Sequence, residues 1–292
     1  FADSYDAADV CERPLEPTTV DRATLFAQAG AYDVDFADVR GQEHVKRALL
    51  VAAAGMALTA CAAGAHTCAV SSCLTVQTTA SFSRFVPVPR DVLDESLAAA
   101  EAAFRVGAVK VGMVGTRAAA EAIVTFAAAR RGLPLVVDPV LRSSSGAPLL
   151  SKSALPAYRR LLRRADVVTP NLPEAEKLLG RRIGSFTEAV EAAQELAELT
   201  GASVVLKGGH FPWKGRRGVD VVVSEGAVTL LPPARSRRDD PHGTGCALAA
   251  ALAARLAAGD GMVPATMAAK ALLERLAAGG FPSAEGRLTL FP

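Results

Sequence analysis

Near the C-terminal end the residues run Asp239-Asp240-Pro241-His242-Gly243-Thr244-Gly245-Cys246, and an alanine-leucine stretch follows to about Ala258. Two glycines flank a threonine, and a helical pattern starts at once. A glycine turn lets backbone N–H groups point inward together. A helix start adds N–H groups without intrahelical partners and the positive end of the helix dipole. The combination makes a cradle for an anion, with Cys246 at its lip. A cysteine at a helix N-terminus can have a lowered pKa, so Cys246 is a candidate acid or base beside a bound phosphate. On pattern alone, the stretch fits an ordinary loop capping a core helix equally well.

Other polar residues sit at the ends of apolar runs. Lys207 could offset phosphate charge, or simply snorkel at a strand end. Asp138 precedes a proline, which is also a common turn. Glu174 could serve a metal, or be an acidic first-turn residue favoured by the helix dipole. Met113 reads equally as core, and Gln77 as a loop amide.

These residues need elements to hold them. Helical periodicity covers 90–105, with Asp91 in the N-cap region, then 117–131, 151–164, 173–179, 187–200, 245–258 and 263–278. Pro156 is tolerated in the first turns of its helix. A helix over 56–63 stops at Gly64. Apolar strand patterns cover 66–74, 108–114, 133–138, 166–169 and 202–207. A hairpin joins 219–224 to 228–231 through Glu225-Gly226. Strand-helix alternation with continuous apolar strands predicts an α/β fold, a mostly parallel sheet covered by helices on both faces. Ligands of such sheets bind beyond the C-terminal strand ends. Gln77, Met113, Asp138, Asn171 and Lys207 all fall at or just past such ends, which predicts one shared cleft.

The stretch Asp240-Pro241-His242-Gly243-Thr244-Gly245-Cys246-Ala247-Leu248 resembles the anion-hole signature of hydroxymethylpyrimidine and phosphomethylpyrimidine kinases, in the ribokinase-like superfamily. Four further stretches match in the family's order. They are Lys110-Val111-Gly112-Met113, Val137-Asp138-Pro139-Val140, Thr169-Pro170-Asn171-Leu172-Pro173-Glu174-Ala175 and Leu206-Lys207-Gly208-Gly209-His210. The resemblance runs from about Ala57 to about Ala278. It implies a ribokinase-like kinase domain that uses Mg-ATP to phosphorylate hydroxymethylpyrimidine or its monophosphate in thiamine biosynthesis. Such transfer asks mainly for positioning and charge neutralisation. Gly243, Gly245, Lys207 and Cys246 are then the expected catalytic set. Asp138, Asn171, Glu174 and Thr244 are expected at the nucleotide. Glu174 and Asp138 would serve magnesium, through water, since that ion keeps much of its hydration. Gln77 and Met113 match the positions that meet the pyrimidine. Cys246 stands where sugar-kinase relatives carry an aspartate base. An already ionised phosphomonoester acceptor needs no strong base, so cysteine suits transfer onto a phosphate. Pyridoxal kinases share the fold and signature and are the alternative enzyme reading.

Composition narrows the rest. The chain has 292 residues, half of them hydrophobic, and a formal net charge of +2. That charge gives no reason to expect nucleic acid or a membrane surface as partner. Arg159-Arg160 and Arg163-Arg164 read as a solvated helix face, while Arg235 to Arg238 precede the anion cradle and could attract phosphate. The five cysteines, Cys11, Cys61, Cys68, Cys73 and Cys246, are an odd count without zinc-knuckle spacing. Cys61, Cys68 and Cys73 are expected as buried thiols, and the cytoplasm as the compartment. No charged residue occurs from Ala48 to Ser83. The run is rich in small residues, so burial against a sheet is expected rather than a membrane span. The resemblance also implies a homodimer.

Residues 1–17 read as an acidic tail. Val34-Asp35-Phe36-Ala37-Asp38-Val39-Arg40-Gly41-Gln42-Glu43-His44-Val45-Lys46-Arg47-Ala48-Leu49 resembles the lead-in to the ATPase core of magnesium-chelatase-like, ComM-type AAA+ proteins. No Walker A loop follows, so 1–55 is expected to be a tail plus an AAA+-like fragment without ATPase activity. The kinase domain is expected over 56–292. It lacks the family's first strand and its Gly-Gly-Ala-Gly loop, which carries substrate contacts. A non-catalytic fusion that binds a partner through the N-terminal piece is the reading from another class.

Overall fold

The computed structural model describes residues 59–77, 82–130, 132–143, 146–233 and 243–278, with short strands at 281–282 and 288–289. All of these belong to one unit, 50–292. The acidic tail, the AAA+-like fragment and Arg235 to Arg238 lie outside the described residues.

The centre is a six-stranded sheet in the order β3-β4-β5-β6-β7-β8. Its strands are β3 (Val109–Val111), β4 (Leu135–Val137), β5 (Val167–Val168), β6 (Ser203–Leu206), β7 (Asp220–Ser224) and β8 (Ala227–Leu231). The first four run parallel, β7 pairs antiparallel with β6, and β8 pairs antiparallel with β7. Valine and leucine on both faces of β4 to β7 explain this: the sheet is buried on each side. Seven described helices cover it: α1 (Arg90–Ala103), α2 (Arg117–Ala128), α3 (Leu155–Arg164), α4 (Leu172–Leu179), α5 (Phe186–Thr200), α6 (Thr244–Ala257) and α7 (Met262–Ala278). On one face Val136, Val167, Val205 and Val222 pack on α6 and α7. On the other, Val137 and Val168 meet α2 and α3, and Val204 and Leu206 meet α5. The expected α/β architecture is thus present.

Local chemistry sets the ends. Thr116 caps α2, accepting from Ala119 N–H, and Ser185 caps α5, accepting from Glu188 N–H. Pro156 lies in the first turn of α3. Glu225, at φ 52°, and Gly226, at φ 77°, form the two-residue turn between β7 and β8.

Four expectations need correction. Asp91 is not a cap: Pro89 precedes α1, no side chain caps it, and Asp91 lies in the first turn. The strand expected over 66–74 starts only at Cys73. There β1 (Cys73–Gln77) pairs antiparallel with β2 (Phe82–Pro87), a strand that Ser83, Arg84 and Pro87 hide from any alternation count. Nor is β1 buried against the sheet: in a two-stranded ribbon one face stays open, and Leu74 is 63% exposed. Finally, Cys61 and Cys68 are exposed and Cys73 only partly covered. The short helix at 59–62 packs through Thr59 and Ala60, and Ala60 meets Ala250 and Ala254 of α6, which turns Cys61 outward. No described helix is long and apolar enough to cross a membrane.

Candidate active site

Beyond the parallel strand ends, the backbone ladder continues for a residue or two. Asp138 N–H donates to Val111 O at 2.8 Å, Thr169 N–H to Val137 O at 3.0 Å and Lys207 N–H to Pro170 O at 2.8 Å. That extension lines up the polar residues which follow β4, β5 and β6.

Their side chains meet. Lys207 Nζ donates to Asp138 Oδ1 at 2.7 Å and lies 3.9 Å from Glu174 Oε2. Thr169 Oγ1 donates to the same Asp138 oxygen at 3.2 Å. Cys246 Sγ donates to Asp138 Oδ2 at 3.0 Å. Glu174 is fixed by a reciprocal capping box at the start of α4. Asn171 N–H donates to its Oε2 at 2.8 Å, and Glu174 N–H donates to Asn171 Oδ1 at 2.9 Å. The sequence -Thr-Pro-Asn-Leu-Pro-Glu- therefore makes a helix start and aims a carboxylate with the same residues.

The start of α6 faces this cluster. Gly243, at φ 94°, takes the N-cap position, and no side chain caps the helix. The first intrahelical bond is Ala247 N–H to Gly243 O, so the amides of Thr244, Gly245 and Cys246 precede the helical ladder. A Cβ built on Gly245 would stand 3.1 Å from Lys207 Nζ. The ammonium and the positive helix end thus crowd one place, which suits an anion.

The electrostatics follow from burial and charge. Burial acts to raise the Asp138 carboxyl, but Lys207, Lys110 and the thiol outweigh it and hold it below its ordinary value. Burial would lower Lys207, yet Asp138 and Glu174 keep it above the ordinary lysine value. Glu174 is pushed up to about 7 by burial against the pull of Lys207, with Asp138 adding repulsion. Cys246 is pushed up to about 12 by burial and by Asp138. This corrects the expectation of a lowered thiol: loss of water and the adjacent carboxylate outweigh the helix dipole.

Asp138, Asn171, Glu174, Lys207 and Cys246 are therefore brought together with Gly243, Thr244 and Gly245. Met113, just past β3, belongs to a different set of contacts. Its carbonyl accepts from Ser72 Oγ at 2.7 Å, which ties it to the β1–β2 ribbon. Gln77 ends β1, its backbone opposite Phe82 at an irregular step in the pairing. Sequence reasoning missed the part of Thr169 and Lys110, both inside quoted motifs. The signal was available for Thr169, which sits directly before the Pro-Asn turn. Lys110 shares a register pair with Val136, whose face carries α6, and its Nζ lies 2.7 Å from where a Gly112 Cβ would stand.

Comparison with known proteins agrees with this geometry. The family model described as phosphomethylpyrimidine kinase matches residues 54–289. The chain is 32% identical over 208 residues to the hydroxymethylpyrimidine/phosphomethylpyrimidine kinase of Aquifex aeolicus, covering 71% of this chain and 81% of that one. It is 36% identical over 214 residues to the enzyme of the same name from Rhizobium meliloti, covering 73% and 79%. It is also 36% identical over 200 residues to a thiamine biosynthesis multifunctional protein of Corynebacterium efficiens, covering 68% of this chain but only 27% of that longer protein. Among solved structures, the phosphomethylpyrimidine kinase of Clostridium difficile superposes with a TM-score of 0.65 at 26% identity, covering 75% and 89%. The pyridoxal kinase of Staphylococcus aureus, solved with AMP-PCP and pyridoxal, superposes with a TM-score of 0.70 at 25% identity, covering 81% and 86%. A polar cluster at the strand ends, a glycine-started helix aimed at it and a family match over most of the length lead to one assignment: this chain belongs to the phosphomethylpyrimidine kinase family, phosphotransferases of ribokinase-like fold.

Proposed function

We propose that the chain transfers the γ-phosphoryl group of Mg-ATP to hydroxymethylpyrimidine or its monophosphate in thiamine biosynthesis. One observation carries the reading: the Lys207 ammonium stands against Gly245 at the open start of α6, backed by Asp138. In this reading Lys207 offsets charge on the ATP phosphates, and the Gly243 to Cys246 amides, Thr244 included, hold the phosphoryl group in flight. Glu174 and Asp138 serve magnesium, with Asn171 holding Glu174 in place. Asp138 already accepts from Lys207, Thr169 and Cys246. No cluster among the described residues offers three or more metal-binding side chains. That donor set suits an ion delivered on ATP phosphates with most of its waters, not a permanent cage. Gln77 and Met113 take the pyrimidine, which pairs its amino edge with an amide.

The boundary near residue 55 is part of the same proposal and is supported by a family match that starts at 54. So are a homodimer and a cytoplasmic location. Pyridoxal phosphorylation is the second reading, favoured by the TM-score of 0.70 to the staphylococcal pyridoxal kinase.

ADP release by the full chain, with Mg-ATP, tests it. Release that depends on hydroxymethylpyrimidine phosphate is the expected result. Release driven by pyridoxal alone would move the assignment to the second reading, and no acceptor-dependent release would leave the partner-binding fusion.

A further inference from the structure

A second buried ion pair lies outside the reacting cluster. Asp220 opens β7 and is 6% exposed; Lys270 of α7 donates to its Oδ2 at 2.6 Å. Burying two charges is unfavourable unless their remaining valences are well used. Here they are. Asp220 Oδ1 accepts from Gly208 N–H at 2.7 Å, and Lys270 Nζ donates to Gly218 O at 2.6 Å. Gly218 N–H in turn donates to Gly208 O at 2.7 Å. These bonds form a closed ring that pins both ends of the 208–218 loop. The base is tight: a Cβ on Gly208 would stand 1.8 Å from Val219 O.

Gly208 directly follows Lys207. The other side of Lys207 is already held, its N–H donating to Pro170 O. The direction of its Cα–Cβ bond is thus fixed by one anchor at Pro170, just past β5, and one on the Asp220–Lys270 ring. Loosening the second anchor would let the ammonium settle toward Glu174, now 3.9 Å away, and leave Gly245.

We infer that Asp220 and Lys270 are positioning residues, which aim Lys207 at the phosphates of the nucleotide through the backbone of Gly208. The inference rests on the proposed role of Lys207.

The test uses the full chain with Lys270→Met, Lys270→Arg and the double variant Asp220→Asn with Lys270→Met. The double variant leaves no unpaired buried charge, so it keeps the question open to measurement should Lys270→Met fail to fold. Calorimetric binding of magnesium AMP-PCP is measured beside KM for ATP and for hydroxymethylpyrimidine phosphate. Lys270→Met and the double variant are expected to weaken AMP-PCP and raise KM for ATP by about tenfold or more, the scale of a small misplacement of a charge-bearing group. KM for the pyrimidine should move less than about twofold, because it reports a different pocket. Lys270→Arg, still able to bridge Asp220 and Gly218 O, should recover most of the loss. Folded variants with unchanged AMP-PCP affinity and only a lower melting temperature would overturn the inference. If the unaltered chain itself binds no AMP-PCP, the kinase reading falls and takes this inference with it.

Discussion

Glu174 shows how a single side chain serves fold and site at once. Its carboxylate closes the α4 capping box, and its value is raised from 4.5 to about 7, mainly by burial. Between those values the folded chain holds a proton that the unfolded chain has lost. The associated stability is complete below the unfolded value and is lost as pH rises through about 7. Glu174→Gln keeps an oxygen for Asn171 N–H but has no proton to lose. The free variant should therefore lose less stability between pH 5 and 8 than the unaltered chain, by up to about 3 kcal/mol. Denaturant melts across that range check this, and parallel slopes would refute it. Cys246 gives the second prediction at this scale. A thiol near 12 that donates to Asp138 is a poor base at neutral pH. Cys246→Ala should therefore cost turnover on either acceptor, phosphomonoester or alcohol, no more than about tenfold. Steady-state rates on both acceptors decide it, and a loss of about a hundredfold on the alcohol alone would show that the thiol does take its proton. Residue types and order singled out Asp138, Lys207, Glu174 and Cys246, side chains that the structure brings together. Their pKa directions were not legible, because they depend on the burial and pairing that only the assembled strand ends create.

At the scale of elements, α6 does two jobs that constrain each other. Its body is an alanine stripe, with Ala249, Ala251 and Leu252 fully buried against the sheet. Under the proposed function its first turn must stay open for an anion. Gly245 marks the conflict. Alanine is the better helix former by about 1 kcal/mol, yet its methyl would stand 3.1 Å from Lys207 Nζ. The end of a lysine side chain can yield, so Gly245→Ala should fold with equal or higher melting temperature and bind nucleotide about tenfold more weakly, from a displaced charge. A stability gain together with unchanged AMP-PCP affinity would show that the close approach has no role. The helices and central strands were legible from apolar periodicity, although the cap read at Asp91 was misplaced. The β1–β2 ribbon was not. Its second strand lacks alternation, and its first keeps Leu74 and Val76 exposed, so no buried-strand rule applies to it.

At the scale of the whole molecule, a missing front loop, expected from the sequence, bears on the acceptor side of the proposed site and not on its nucleotide side. The polar cluster and the start of α6 are held by β4, β5, β6 and α4, all downstream of the stretch where the family's first strand is expected. In the proposed site the acceptor side relies on the ribbon and on Met113, whose carbonyl accepts from Ser72 just before β1. Ligands that bind only the folded chain raise its stability by mass action, by about 2.7 kcal/mol at a hundred times Kd. For a domain of this size each kcal/mol moves Tm by roughly 2–4 °C. Saturating magnesium AMP-PCP should thus raise Tm by roughly 5–10 °C. Hydroxymethylpyrimidine phosphate should add a further rise, if Gln77 and Met113 take the pyrimidine as proposed. Thermal melts with each ligand alone and both together measure this. A nucleotide shift without any pyrimidine shift would mean that the contacts carried by the lost loop were indispensable. The chain would then keep the phosphate cradle of its family without the pocket that selects the acceptor.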